Sequence, residues 1–251
     1  MKRMMNILLV IALILVSMTA NAEGAKTKAD LYPFTIRNAS VPETSKKIAI
    51  TMDDCYDIDK VDATIELCRQ YGVNVTFFPL GQILKPKDRE VWQKAIDSGC
   101  EIGSHTYYHN YLDKLQPWTL IWSLGKTQQV LDETLGYHYQ IRWVRPPFGR
   151  IKGTEEGATS NRVVGCMRKM GYEHVVLWNV SQTDPTKAMK QIKPGCIALY
   201  HARNKDVHCL EEIIPQLIEQ GYEMVTVSEL LGYEAPETSD QLYVYDKKNY
   251  Q

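Results

Sequence analysis

Lys47 to Met52, KIAITM, passes straight into the carboxylate pair Asp53-Asp54. A short apolar run of this kind reads as a buried strand. Adjacent residues on an extended chain point to opposite sides, so one carboxylate can bind a metal while the other faces a nearby water. Two carboxylates at a strand end are costly unless charge or solvent compensates them. The stretch therefore predicts both a sheet and a polar site at its edge.

Outward from it, strand-like and helix-like segments alternate. Lys60 to Tyr71 reads as an amphipathic helix closed by Gly72, Asn74 to Leu80 as a strand, and Asp88 to Ser98 as a helix ending at Gly99. A strand leading into His105, a long helix Pro117 to Leu135 and a strand Ile141 to Arg145 follow. A helix Asn161 to Met170 stops at Gly171, and Val175 to Val180 and Ile197 to His201 read as strands. Asp206 to Gln220 is helical, and Met224 to Val227 is a last short strand. This order predicts an α/β fold, a distorted (β/α) barrel of about seven parallel strands. No GxGxxG loop follows the first strand, which removes the usual dinucleotide reading. In such barrels the chemistry sits where strands end.

The segment Glu101 to Asn110, EIGSHTYYHN, holds His105 and His109. If a helical turn follows His105, the two imidazoles lie on one face and can share a divalent ion. Thr106 stands where the HExxH helix needs its general-base Glu, so a third ligand and a base must come from elsewhere. Asp54 supplies the ligand, and one carboxylate with two imidazoles suits Zn²⁺, with Co²⁺, Ni²⁺ or Mn²⁺ also compatible. The strand ending at Arg145 continues into Pro146-Pro147-Phe148-Gly149. Two prolines stiffen that turn, and the N–H groups of Phe148 and Gly149 are the next donors for a developing oxyanion. His201, at another strand end, suits a general acid supported by a nearby carboxylate.

These segments, in this order, resemble the polysaccharide deacetylases of the carbohydrate esterase 4 family, the NodB homology domain, over roughly Ile48 to Gly232. Thr51 to Asp54 is similar to the TFDD motif, His105 to His109 to H(S/T)xxH, and Arg145 to Gly149 to RxPYG. Leu177 to Asp184 resembles W-x-V-D-x-x-D-W, and Leu199 to His201 the late LxH. The resemblance implies that Asp54, His105 and His109 hold the metal. Asp53 would be the base, oriented by Arg145, and the Phe148 N–H would help hold the oxyanion. His201, tuned by Asp184, would protonate the leaving amine. Tyr107, Tyr108 and Trp178 are the expected substrate-binding residues. Cys55, Phe148, Ser181 and Pro185 depart from the family's Gly, Tyr, Asp and Trp.

The remaining readings place this machinery. Lys2 and Arg3, the apolar run Ile7 to Val16 and Ala20-Asn21-Ala22 have the form of a cleaved signal peptide over 1–22. The expected protein is exported, periplasmic or secreted, with no stable membrane anchor. An extension over 23–46, a catalytic domain over 47–232 and a polar tail over 233–251, read as an appendage, complete the expected organisation. Without Lys2 and Arg3 the basic count falls from 29 to 27 against 30 acids, net charge near −3, which argues against nucleic acid as a partner. The six cysteines show no CxxC pair, and their spacing leaves disulfide pairing open. The expected reaction removes N-acetyl groups from a peptidoglycan- or chitin-like amino-sugar polymer and releases acetate. The same machinery on an O-acetyl ester, formamide or small cyclic amide, and a non-catalytic carbohydrate-binding domain, are the alternatives. Oligomeric state is not written in the sequence.

Overall fold

The computed structural model describes residues 34–42, 44–150 and 162–250. The expected leader and the loop Ile151 to Ser160 lie outside the described residues. In chain order the elements are β1 (Thr35–Ile36), β2 (Lys47–Asp54), α1 (Ile58–Tyr71), β3 (Val75–Pro79), α2 (Arg89–Asp97) and β4 (Glu101–Ile102). Then come α3 (Pro117–Leu135), β5 (His138–Tyr139), β6 (Trp143–Val144), α4 (Arg162–Lys169) and β7 (His174–Val176). The chain continues with α5 (Pro185–Gln191), β8 (Ile197–His201), α6 (Asn204–Glu219), β9 (Glu223–Val225), α7 (Val227–Leu230) and β10 (Thr238–Ser239).

Strand β2 is the centre. It pairs in parallel with β3 and β8, while β3 continues to β4. A second parallel group runs β1–β7–β6. Two single parallel bridges, Ser104 to Val144 and Val180 to Ala198, join the groups and close a ring through β8, β2, β3, β4, β6 and β7. Two such short seams in place of full ladders are what distort the barrel. Strands β1 and β9 are added beside β7 and β2. The fold is the expected distorted (β/α) barrel, with six strands in the ring.

Local rules explain the elements. Helix α1 buries Val61, Thr64, Ile65 and Cys68, the i, i+3, i+4, i+7 stripe that faces a core. Asp57 caps its start and Gly72, at φ 64°, ends it in the left-handed conformation that favours glycine. Helix α3 begins with Pro at its first turn, where the missing N–H costs nothing. Short β1 and the antiparallel pair β5–β10 were not readable as alternation, since two residues show no period. None of the six cysteines is in a disulfide, and all six are buried. Among the described residues no helix is long and apolar enough to cross a membrane.

The C-terminal segment differs from its reading as an appendage. The Tyr243 N–H donates to Asp132 Oδ2 at 2.8 Å and the Tyr245 N–H to Gln129 Oε1 at 3.3 Å, both acceptors on α3. Gly125 makes this possible, because a Cβ there would collide with the Tyr245 ring. The tail is a packed wall of the domain.

Glu101, fully buried, ties the barrel's strands to α7. It accepts from Trp143 Nε1 at 2.7 Å, the Ser228 N–H at 3.0 Å, the Thr76 hydroxyl at 3.1 Å and the Ser228 hydroxyl. Burial nevertheless raises its pKa above the ordinary carboxylate value. Its contribution to stability is therefore full in acid and declines as the pH rises through that raised value. Glu101→Ala leaves several donors unpaired and is expected to cost about 3 kcal/mol in urea unfolding near pH 5, and less at pH 8. A loss under about 0.5 kcal/mol at pH 5 would show that the network carries little.

Candidate functional site

The site is assembled at the C-terminal ends of the strands. Strand β2 delivers Asp53 and Asp54, and its register sets Asp53 beside His201 of β8. The loop after β4 delivers His105 and His109. Thr106 has φ 69°, so the expected helical turn after His105 does not form. The two imidazoles meet instead because Thr106 reverses the chain between them, with ring centroids 5.1 Å apart. That reversal is held from three sides. The Thr106 N–H donates to the Ser104 hydroxyl, its own hydroxyl donates to the Tyr108 carbonyl, and its carbonyl accepts from the Gly81 N–H.

Asp54 (φ 64°), Cys55 (φ 58°), Thr106 and Phe148 (φ 62°) are the non-glycine residues at positive φ among the described residues. All four belong to this site. Each costs roughly 1 kcal/mol or more and persists only where its surroundings over-determine it. For Cys55 the surroundings are a buried sulfur and an N–H bonded to the Asp53 carbonyl at 2.7 Å.

Asp54, His105 and His109 each offer a ligand atom, and these atoms lie within 4.8 Å of one another. Asp54 Oδ1 is 3.5 Å from His105 Nε2 and 3.4 Å from His109 Nε2. His105 Nδ1 lies 2.8 Å from the Arg145 carbonyl, which can only accept. The proton is therefore assigned to Nδ1. Burial lowers the His105 pKa, so the ring is neutral and turns its Nε2 lone pair toward the carboxylates. Asp54 Oδ1 is itself buried with no hydrogen-bond partner. Electron pairs converging on one point without a donor between them fit a divalent cation, and the carbonyl behind His105 is the usual support of such a ligand.

Asp53 is held differently. Arg145, wholly buried, donates from Nη1 to Asp53 Oδ1 and to the Thr51 hydroxyl, both at 2.7 Å. Its Nε and Nη2 donate to the Val176 and Leu177 carbonyls. Its guanidinium lies over Phe78, 4.3 Å from the ring centroid, and within 5.7 Å of Trp178. Trp178 in turn rests on Gly149, where a Cβ would approach it to 2.6 Å. The Phe148 N–H makes no hydrogen bond among the described residues, and its ring meets His109 edge-on at 4.3 Å.

The structure sets a different carboxylate from the expected one beside His201. Asp184 caps α5, accepting the Lys187 N–H at 2.9 Å, and makes no ion pair with His201. Pro185 at the first helical position starts α5 immediately after it, so the carboxylate is consumed by that helix end. Asp206 stands beside His201 instead. Its Oδ1 accepts the His201 N–H at 3.0 Å and lies 3.8 Å from Nδ1. The readable signal was a carboxylate in the first turn of the helix following the strand, which returns to the strand end.

The expected aromatic residues divide. Tyr107 is half-buried against Trp122, with centroids 5.1 Å apart, whereas Tyr108 keeps an exposed ring. Sequence reasoning passed over Arg203, whose Nη2 is 3.5 Å from Asp54 Oδ2. It also could not show that Tyr111 stacks on Phe148, 4.3 Å away and nearly parallel.

A parallel barrel whose strand ends gather two imidazoles and a carboxylate around one cation position defines a hydrolytic enzyme class. The family model for polysaccharide deacetylase matches residues 40–175. A peptidoglycan-N-acetylglucosamine deacetylase of Bacillus cereus is 31% identical over 222 residues, covering 82% of this chain and 98% of the relative. The peptidoglycan-N-acetylmuramic acid deacetylase PdaC of Bacillus subtilis is 28% identical over 204 residues, covering 77% of this chain and 40% of that longer protein. Among solved structures, a mutant of a CE4 family pseudoenzyme with restored enzymatic activity superposes with a TM-score of 0.69 at 25% identity, covering 80% and 72% of the two chains. The chain belongs to the polysaccharide deacetylase family.

The purified protein is expected to bind one equivalent of Zn²⁺ in equilibrium dialysis. His105→Ala is expected to weaken that binding by more than about a hundredfold. Undiminished binding in the variant would remove the triad as the cation site.

Proposed function

We propose that the protein is an exported, metal-dependent deacetylase that hydrolyses the N-acetyl group of an amino sugar in peptidoglycan and releases acetate and the free amine. The observation that carries this reading is the contrast between the two carboxylates of β2. Asp53 is locked to Arg145, while Asp54 presents a buried, unbonded oxygen to His105 and His109. The 31% identical relative, matched over almost its whole length, supports the choice of glycan. A neighbour described as a pseudoenzyme shows that the fold alone does not carry the activity, so the side chains must.

A divalent ion at Asp54, His105 and His109, with Zn²⁺ the first choice, would supply Lewis-acid polarisation of the acetamide carbonyl and of the attacking water. Asp53 takes the proton of that water. Arg145 keeps the Asp53 carboxylate aimed at it, because five bonds or ring contacts fix the guanidinium. As the carbonyl carbon becomes tetrahedral, the free Phe148 N–H donates to its oxyanion. His201 then protonates the departing nitrogen, and the C–N bond breaks to give acetate and amine. Asp206, not Asp184, fixes the strand end that carries His201.

Acetate release from peptidoglycan and from N-acetylglucosamine oligomers, with metal-stripped protein and added Zn²⁺, tests the reading. Asp53→Asn is expected to lower kcat by about a hundredfold or more. No zinc-dependent release from either glycan would overturn the proposal. A second comparison separates the carboxylates near His201. Asp206→Asn is expected to lower kcat roughly tenfold with little change in KM, while Asp184→Asn, which preserves the helix cap, leaves it within about twofold. The opposite ranking would restore Asp184 as the partner.

A further inference from the structure

A second cavity of 450 Å³ lies between α3, α4 and the packed C-terminal segment. Its aromatic lining is Trp118, Tyr245 and Tyr250, and its charged lining is Arg162, Lys169 and Lys247. No carboxylate lines it among the described residues. Trp118 is 59% exposed, an unusual state for the largest apolar side chain unless it has something to cover. Tyr245 and Tyr250 stack nearly parallel at 5.9 Å, and Lys247 makes no ion pair among the described residues. By contrast, a larger cavity of 900 Å³ beside α1 and α2 sets Arg69, Arg89 and Lys94 against Glu90 and Asp97, and so has no sign preference.

The cavity is connected to the cation site by continuous contacts. The Phe148 ring meets His109, and Tyr111 stacks on Phe148. Lys114 and Arg150 lie over Tyr111, 5.0 and 5.2 Å from its centroid. Arg150 pairs with Asp113 Oδ2 at 3.2 Å, and Arg162 donates to the Asp113 carbonyl at 2.8 Å. Arg162 is already a wall of the cavity. This strip is aromatic and cationic along its length, with Asp113 its one neutralised acid. Aromatic faces stack on sugar rings and flat apolar groups, while the cations select carboxylates.

We propose that this cavity is a subsite for the carboxylate-bearing peptide of a peptide-substituted glycan, holding it while a sugar of the same strand occupies the cation site. The inference rests on the deacetylase reading and deepens it: the preferred substrate is an acidic glycopeptide, and a neutral N-acetylglucosamine oligomer lacks the group that the cavity recognises. A polymer whose peptide is anchored here gains binding without contributing to bond breaking, so the effect belongs to KM and not to kcat.

The test uses the full chain with zinc, the double variant K169Q/K247Q, and the single variant Trp118→Ala. Three probes are compared: a glycan oligomer carrying acidic tetrapeptides, the N-acetylglucosamine tetramer, and the free acidic tetrapeptide. The double variant is expected to raise KM for the peptide-bearing oligomer about tenfold, with kcat and all constants for the neutral tetramer unchanged. Trp118→Ala is expected to weaken the same substrate alone. The free peptide is expected to perturb Trp118 fluorescence in wild type, and to lose that effect in K169Q/K247Q. Equal weakening of both oligomers, or no change with either, would overturn the subsite. If no glycan is deacetylated, the catalytic reading falls, and the peptide titration still decides the cavity, since it reads binding without turnover.

Discussion

A single buried guanidinium holds the barrel and its chemistry together. Arg145 leaves the end of β6, donates to Thr51 and Asp53 on β2, and donates to two carbonyls at and just beyond the end of β7. Among the described residues β6 meets β7 through a two-residue ladder, and β2 pairs with neither of them. An arginine removed from water is tolerable only when its donors are satisfied and a counter-charge is close. Here the counter-charge is Asp53, which would itself be intolerable in this position without Arg145. Each makes the other affordable, and removal of one partner leaves a buried charge whose cost is commonly 3–5 kcal/mol. Stability and catalytic geometry thus share one interaction, with Phe78 and Trp178 closing its faces.

The same economy explains where strain is stored. Asp54, Cys55, Thr106 and Phe148 stand in the left-handed region, and each turns a functional group that regular structure would aim elsewhere. At Asp54 and Cys55 the chain leaves the sheet so that successive carboxylates do not simply alternate across it. At Thr106 it folds back so that His109 returns toward His105. At Phe148 it exposes an N–H. Such a backbone is stable because the rest of the domain is regular, with a large apolar core packed around hydrogen-bonded polar side chains such as Glu101 and Arg145.

What the sequence made legible follows from length and period. Runs such as KIAITM and the 19 residues of α3 carry enough pattern to be read alone, and so the barrel, the His pair and the Asp pair could be found. The two-residue strands β1, β5 and β10 carry none. Asp184 occupies a plausible place in a motif but caps a helix, whereas the carboxylate that stands beside His201, Asp206, comes from the next element. The tail reads as an appendage because its polarity conceals four tyrosines, and because the gap that receives Tyr243 and Tyr245 is created by Gly125, over a hundred residues earlier. These outcomes depend on three-dimensional neighbours that no local window contains.

The two carboxylates of β2 finally show how one strand end can hold opposite roles. Asp53 has a permanent cation, so its charge is compensated whether or not an ion is bound. Asp54 has none of its own: the half-exposed Arg203, with Nη2 3.5 Å from Oδ2, is too far for a strong bond, and His201 Nε2 stands 4.0 Å away. On the proposed reading, an ion would complete Asp54 and leave Asp53 untouched. The barrel can fold before the ion arrives, because the charge that threatens its core is already paired. Only the charge at its mouth is left for a ligand, and on the proposed reading that separation would keep Asp53 free to act as base while Asp54 holds the ion.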